Sequence, residues 1–206
     1  MNEHWEVLPP ATEKTWSLLQ QLPEIKQFYL AGGTGLALQI GHRISRDLDF
    51  FTPAAFTPDD LVQKLGALGN FELELKSEKT AVGILNETKL SFLGYPYSLL
   101  DGTDELRGIQ VAAISDIACM KLDAVSSRGT KRDFIDLFYI ARAISLTDMF
   151  ALFQKKYAAI NYNMMHVKKS LVFFDDADAD PMPDMLQPVA WDEAKAFFRS
   201  EIQKLP

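Results

Sequence analysis

The chain has 206 residues and a formal net charge of −7 at neutral pH, with 48% hydrophobic and 24% charged residues. That balance fits one large domain, or a domain with a helical appendage, able to bury a proper core, and its acidity excludes strong DNA binding as an expectation. No apolar run could span a bilayer, MNEHWEVLPP lacks a basic region followed by an apolar stretch, and Cys119 stands alone, so no intrachain disulfide or thiolate metal cluster can form; a cytoplasmic protein is expected.

In chain order, TEKTWSLLQQL (12–22) predicts a helix ended by Pro23. Phe28–Ala31 reads as a short buried strand, Gly32-Gly33 as a turn, Thr34 as an N-cap, and Gly35–Ile40 as a short helix closed by Gly41. Leu48–Phe51 is a second strand, stopped by Thr52-Pro53, and Pro58–Leu68 a helix with Asp59 and Asp60 in its first turn. Three β-like runs follow, FELELKS (71–77), TAVGILN (80–86) and TKLSFLGYPY (88–97), with Asn86-Glu87 as a hairpin turn; the first and third alternate apolar and polar residues as half-buried strands do.

Beyond about residue 114 the pattern is helical. Ser115 is placed to cap a helix over 116–127, SSRGT breaks it, and Thr130-x-x-Asp133 has the spacing of a capping box for a helix over 131–144. Within it Phe134, Leu137, Phe138 and Ala141 form an apolar stripe. Residues 147–174 read as further helix, DDADADPMPDML (175–186) as an irregular acidic excursion, and Trp191–Ile202 as a closing amphipathic helix. The expected architecture is α+β (α/β), a small mixed sheet flanked by helices over residues 1–110 and a helical region over 111–206 packing against it.

The chemistry concentrates in FYLAGGTGLALQIGHRISRDLDFF, residues 28–51. Asp47 and Asp49 stand at i and i+2, a spacing that puts both carboxylates on one face of a strand. Two carboxylates held together repel unless a cation joins them, and Mg²⁺ on one or two carboxylates with phosphate oxygens removes the conflict. Gly32-Gly33 lets backbone N–H groups approach a phosphate at the start of a helix whose dipole favours anions. A phosphate-cradling turn followed by a metal-holding acid pair is equipment for phosphoryl or nucleotidyl transfer. Arg43 and Arg46, between the two, can meet substrate phosphate or neutralise the acids, and His42 can cap the helix C-terminus. His4, His42 and His166 lack the mutual spacing of a zinc site.

Three further features have structural and functional readings side by side. Lys121 interrupts the apolar run IACMKLDAV and must reach water or an anion; it is a phosphate-neutralising group or a snorkelling lysine. Arg128, Lys131 and Arg132 cluster at the helix break as an anion-facing patch or a solvated loop. Asp133 is explained by capping, whereas Asp136, apolar on both sides in FIDLFYI, is either paired with Arg132 one turn earlier or functional.

Gly32-Gly33, thirteen residues, then Asp47-Leu48-Asp49 resembles the signature of the polymerase-β-like nucleotidyltransferase superfamily. The fuller string AGGTGLALQIGHRISRDLDFF, with SDIACMKLDAVSSRGTKRDFIDLFYI (115–140), resembles the AbiEii/AbiGii-type toxins of bacterial type IV toxin–antitoxin systems. The resemblance implies a Mg²⁺-dependent transfer of a nucleoside monophosphate from an NTP to an RNA, protein or small-molecule acceptor, with a cognate antitoxin as partner. It implies that Gly32, Gly33 and Thr34, with Arg46, Arg128 and Arg132, touch the nucleotide, that Asp47 and Asp49 hold Mg²⁺, and that Lys121 and Asp136 complete the catalytic set. One departure stands out. Superfamily polymerases place a third carboxylate on a later strand, and the matching position in Lys89-Leu90-Ser91-Phe92 is Ser91, which supplies no charge. Neither Glu87 nor Asp101 sits in the matching strand context. The alternative to an enzyme is therefore a nucleotide-binding or protein-interaction module of the same fold that has lost turnover.

Overall fold

In the computed structural model, which describes residues 3–205, the chain up to Ala113 and the chain from Ile114 fold as separate units. The first holds helix α1 (Pro10–Leu19), strand β1 (Tyr29–Leu30), α2 (Gly32–Ile40), β2 (Leu48–Thr52), α3 (Pro58–Leu68), and strands β3 (Phe71–Ser77), β4 (Thr80–Leu85), β5 (Thr88–Gly94), β6 (Thr103–Leu106) and β7 (Ile109–Ala112). The strands form one mixed sheet in the order β3-β4-β5-β2-β1-β7-β6. β2 runs parallel to β5 and antiparallel to β1, while β1 runs parallel to β7.

Alternation decides which face is buried. Leu48, Phe50 and Thr52 of β2 are buried, as are Thr88, Leu90 and Phe92 of β5, while Asp49, Phe51, Ser91 and Leu93 are half-buried. The inward set joins Leu30, Ala81, Leu85, Ile109 and Val111 in a core closed by Trp16, Leu19, Ile25, Leu61 and Leu65. Phe50 and Phe92 stack at 5.0 Å between centroids, and Phe28 meets Phe92 edge-on at 5.1 Å. Burying such rings contributes about 1.5–3 kcal/mol each, which fixes the register of β2 against β5 and hence the placement of the outward residues.

The β2 and α3 expectations hold closely, and β4 and β5 meet at Asn86-Glu87 with Asn86 at φ +55°. Several expectations need correction. The first helix begins at Pro10 and ends at Leu19, because Pro at the first helical position is compatible with the missing N–H. β3 is an edge strand exposed along nearly its whole length, with Leu73 and Leu75 among the exposed apolar residues. The hairpin β6–β7 was not expected; its turn is Arg107-Gly108, at φ +40° and +77°. Its two strands of four residues each are too short for the alternation to show.

The second unit comprises α4 (Ile114–Ser127), α5 (Lys131–Ile140), α6 (Leu146–Lys156), α7 (Met164–Ser170), α8 (Asp175–Ala179) and α9 (Trp191–Glu201). The 147–174 segment is broken between α6 and α7, where Asn163 caps α7 by accepting the His166 N–H at 3.1 Å. α8 lies inside the segment expected to be irregular. Ser115 lies within α4 instead of capping it, and the helix expected over 131–144 stops at Ile140. Phe134 anchors this core against Phe174, Trp191 and Phe198 at 5.1, 5.8 and 5.4 Å. A fully buried ion pair, Lys156 to Asp116 at 2.6 Å, ties α6 to α4. No described helix is long and apolar enough to cross a membrane.

Candidate functional site

The site in the first unit is built where α2 starts and β2 begins. The first intrahelical bond of α2 runs from the Gly35 N–H to the Ala31 carbonyl at 3.1 Å, so the N–H groups of Gly32, Gly33 and Thr34 precede the helical ladder. The helix thus starts at Gly32, and Thr34 is not its cap. Instead the Thr34 hydroxyl donates to the Asp47 carbonyl and shares a hydrogen bond with Ser45 Oγ at 2.7 Å. These contacts pin the loop before β2 to the first turn of α2. Gln39 Nε2 anchors the far end of the helix on the Ala112 carbonyl at 3.0 Å.

Both glycines are there because the space beside them is taken. Gly32 has φ +64°, and a Cβ on it would lie 2.9 Å from Asp49 Oδ2. The Ala31 N–H donates to the Asp49 carbonyl at 3.0 Å, locking the turn to β2. A Cβ on Gly33 would collide with the Arg43 guanidinium. That guanidinium donates from Nη1 to the Ile44 carbonyl at 3.1 Å and to Ser45 Oγ at 3.4 Å, and the residue is 4% exposed. Arg46 is exposed, its carbonyl accepting from Thr12 Oγ1 at 3.1 Å. Sequence treats the two arginines alike; the fold puts Arg43 against the glycine turn and Arg46 at the surface. His42 is fully buried.

Asp49 lies on the outward face of β2, and Asp47 immediately precedes the strand, half-buried. Both carboxylates act on the Lys89 ammonium of β5, which its hydrogen bond to Glu74 first, and then these two acids, hold above the ordinary lysine pKa. The β2–β5 register pairs Asp49 with Ser91. Ser91, where the resemblance leads one to expect a third acid, is therefore directly beside Asp49. Among the described residues, no group of three His, Cys, Asp or Glu side chains converges as a metal-binding set. Carboxylates at i and i+2 offer hard oxygen atoms of the kind Mg²⁺ takes, and the missing Cβ of Gly32 leaves Asp49 Oδ2 its room.

In the second unit Lys121 is 6% exposed and its ammonium meets Asp133 Oδ1 at 2.8 Å and Asp136 Oδ2 at 2.6 Å. Lys121 therefore pairs with Asp136 in place of Arg132, which is exposed. Asp133 does not act as the backbone-capping acid of a capping box. Its carboxylate takes Arg128 Nε at 2.9 Å and the Thr130 hydroxyl at 2.7 Å besides Lys121. Burial alone would push the Asp133 carboxyl up, but the charge of Lys121 and the hydrogen bonds and charge of Arg128 outweigh it and hold the carboxyl well below the usual carboxylate range. Lys131 does not join an anion-facing patch: it is buried, with its ammonium on the Asp180 carbonyl and its N–H donating to Asp180 Oδ2 at 3.0 Å. Arg128 keeps 64% of its side chain exposed while bonded to Asp133. The Lys121–Asp133 and Lys121–Asp136 contacts were not legible in the sequence, because the partners sit on different helices.

Comparison with known proteins adds the family. A family model described as nucleotidyl transferase AbiEii toxin, type IV TA system, matches residues 17–97 and 92–204. An uncharacterised protein of Aquifex aeolicus (strain VF5) is 36% identical over 183 residues, covering 86% of this chain and 87% of that protein. Among solved structures, MenT4, a nucleotidyltransferase toxin from Mycobacterium tuberculosis H37Rv, aligns with a TM-score of 0.58 at 17% identity, over 95% of this chain and 84% of that one. A putative nucleotidyltransferase from H. pylori aligns with a TM-score of 0.56 at 14% identity, over 95% of each chain. At these identities the likeness is one of fold.

Proposed function

The chain belongs to the AbiEii nucleotidyltransferase toxin family of type IV toxin–antitoxin systems, and from that premise we propose that it moves a nucleoside monophosphate from an NTP to an acceptor hydroxyl at the turn built from Gly32, Gly33, Asp47 and Asp49. The observation that carries this reading is the direct approach of the Asp49 carboxylate to Gly32. It sets a carboxylate beside the N–H groups that open α2. In the transfer, the acceptor oxygen bonds to the α-phosphorus, the bond from that phosphorus to the bridging oxygen breaks, pyrophosphate leaves and the hydroxyl proton passes to water.

Asp47 and Asp49 would hold Mg²⁺, which when bound offsets charge developing on the α-phosphate and pyrophosphate. Gly32, Gly33 and Thr34 present backbone N–H groups to phosphate, at the positive end of the α2 dipole. Arg43, buried against Gly33, adds fixed positive charge behind that turn, and Arg46 offers an exposed guanidinium nearby in the chain. In the helical unit, Lys121 and Asp136 enter the proposal together: an ammonium held by two carboxylates is oriented, and it reaches a phosphate only by exchanging with Asp133 or Asp136. Arg128 and Arg132 are the exposed cations of the same block and are assigned to nucleotide or acceptor phosphates. A toxin role with a cognate antitoxin, in the cytoplasm, follows the family.

Incubation with Mg²⁺, each α-labelled NTP, total RNA and cell protein tests the reading. Label incorporated by the wild type and absent with Asp49→Ala supports transfer. NTP binding without incorporation supports the rival module that has lost turnover, which the Asp49–Ser91 pairing favours. Neither binding nor incorporation sinks both.

A further inference from the structure

Asp49 and Ser91 face each other across parallel strands, and Leu48 faces Leu90. One residue earlier in each run stand Asp47, just ahead of β2, and Lys89 on β5. Lys89 and Ser91 are two apart on β5 and share the outward side, opposite the buried Leu90 and Phe92. The strand that lacks the third acid thus carries a lysine beside the acid pair. The Lys89 ammonium is hydrogen-bonded to Glu74 Oε2 on β3 at 2.8 Å, with 47% and 40% of the two side chains exposed. Asp47 and Asp49 add to Glu74 in keeping it protonated. An exposed pair of this kind contributes little to stability, so folding gives no reason for a lysine there.

Charge supplies one. A third carboxylate in such a site serves to hold a second cation. Two carboxylates neutralise one divalent ion, and an ammonium brought from Glu74 to that site leaves the two a net charge of about −1, which suffices for one such ion and opposes a second. Resting on the nucleotidyl-transfer reading above, we propose that Lys89 is the second cation of this site: Asp47 and Asp49 take a single divalent ion, and the Lys89 ammonium leaves Glu74 to contact the triphosphate. Glu74 is then its resting partner, holding the flexible side chain over β4 until a stronger anion arrives. Lysine suits that exchange, because it is a compact point charge on a flexible stem.

The test titrates Mn²⁺ by electron paramagnetic resonance in the presence of an α,β-methylene NTP analogue, with analogue affinity measured by calorimetry on the same proteins. The wild type should bind one ion per chain. Lys89→Ala should keep that single ion, weaken the analogue at least tenfold and leave Tm unchanged. Glu74→Gln should bind the analogue no more weakly than the wild type; equal losses in the two variants would mark a merely structural pair and overturn the proposal. The double variant Lys89→Ala with Ser91→Asp should bind a second ion. Two ions in the wild type, or an analogue affinity within twofold after Lys89→Ala, overturns the proposal while leaving nucleotidyl transfer standing. If the wild type binds neither Mn²⁺ nor analogue, the underlying reading fails and takes this one with it.

Discussion

Three side chains converge on the Asp133 carboxylate, and their contributions are unequal. Lys121 is almost wholly buried and also holds Asp136, whereas the Arg128 side chain is mostly in water and its charge is screened. Removing Lys121 takes the ammonium away from two buried carboxylates and leaves Asp133 to Arg128 and Thr130, a loss of about 3–5 kcal/mol by the behaviour of broken buried pairs. Lys121→Ala is therefore expected to lower the denaturation midpoint of the helical unit as well as transfer activity, while Arg128→Ala should barely move stability. The pH dependence follows from the depressed Asp133 pKa. The native carboxyl holds fewer protons than the unfolded one, so its stabilisation is present above the ordinary aspartate value of about 3.9 and is lost as pH falls below it. Urea midpoints between pH 6 and 3 should decline for the wild type, with a shallower decline for Asp133→Asn.

Gly32 makes the corresponding case in the first unit. An alanine there would sit at positive φ, costing about 1–2 kcal/mol, and its Cβ would press on Asp49 Oδ2. Gly32→Ala should unfold at slightly lower urea and lose label transfer far beyond that, since the carboxylate itself must shift. Transfer equal to the wild type would show that the approach of turn and acid is not used.

At the scale of elements, strands with one buried face were legible and strands without one were not. β2 and β5 alternate because Leu48, Phe50, Leu90 and Phe92 point into one core. β3 carries the same written alternation, yet it is the sheet edge and leaves Leu73 and Leu75 in water. Pattern reports amphipathic potential; position in the sheet decides burial. Helix starts show the same division. Thr34 and Thr130 look like caps, but their hydroxyls donate instead, Thr34 to the Asp47 carbonyl before β2 and Thr130 to the Asp133 carboxylate in the first turn of α5. Ser145 does cap α6, accepting the Asp148 N–H at 3.1 Å. Ser145→Ala should cost about 1 kcal/mol, read as a lower midpoint of helical ellipticity in urea with transfer chemistry untouched.

At the scale of the molecule, a net charge of −7 would meet, in the proposed transfer, an NTP that is itself a polyanion. Self-repulsion of this kind makes cation-dependent binding the expected mode. Chelation should abolish label transfer and weaken NTP binding, and added Mg²⁺ should restore both, with the far-UV circular dichroism unchanged throughout because the core is built from apolar packing. Loss of ellipticity on chelation would mean that a metal ion holds the fold.

The sequence by itself determined the family, the glycine turn, the spacing of Asp47 and Asp49, and the order of a sheet-bearing half and a helical half. These are local quantities, carried by residues within a few positions of one another. Only the tertiary structure decided that Ser91 lies beside Asp49, that Lys89 stands by the acid pair, that Arg43 and not Arg46 backs the turn, and that Lys121 is shared by Asp133 and Asp136. Each of those relations joins side chains from different elements. Burial of the apolar faces sets where the elements lie, and the polar residues take whatever partners that packing brings within reach.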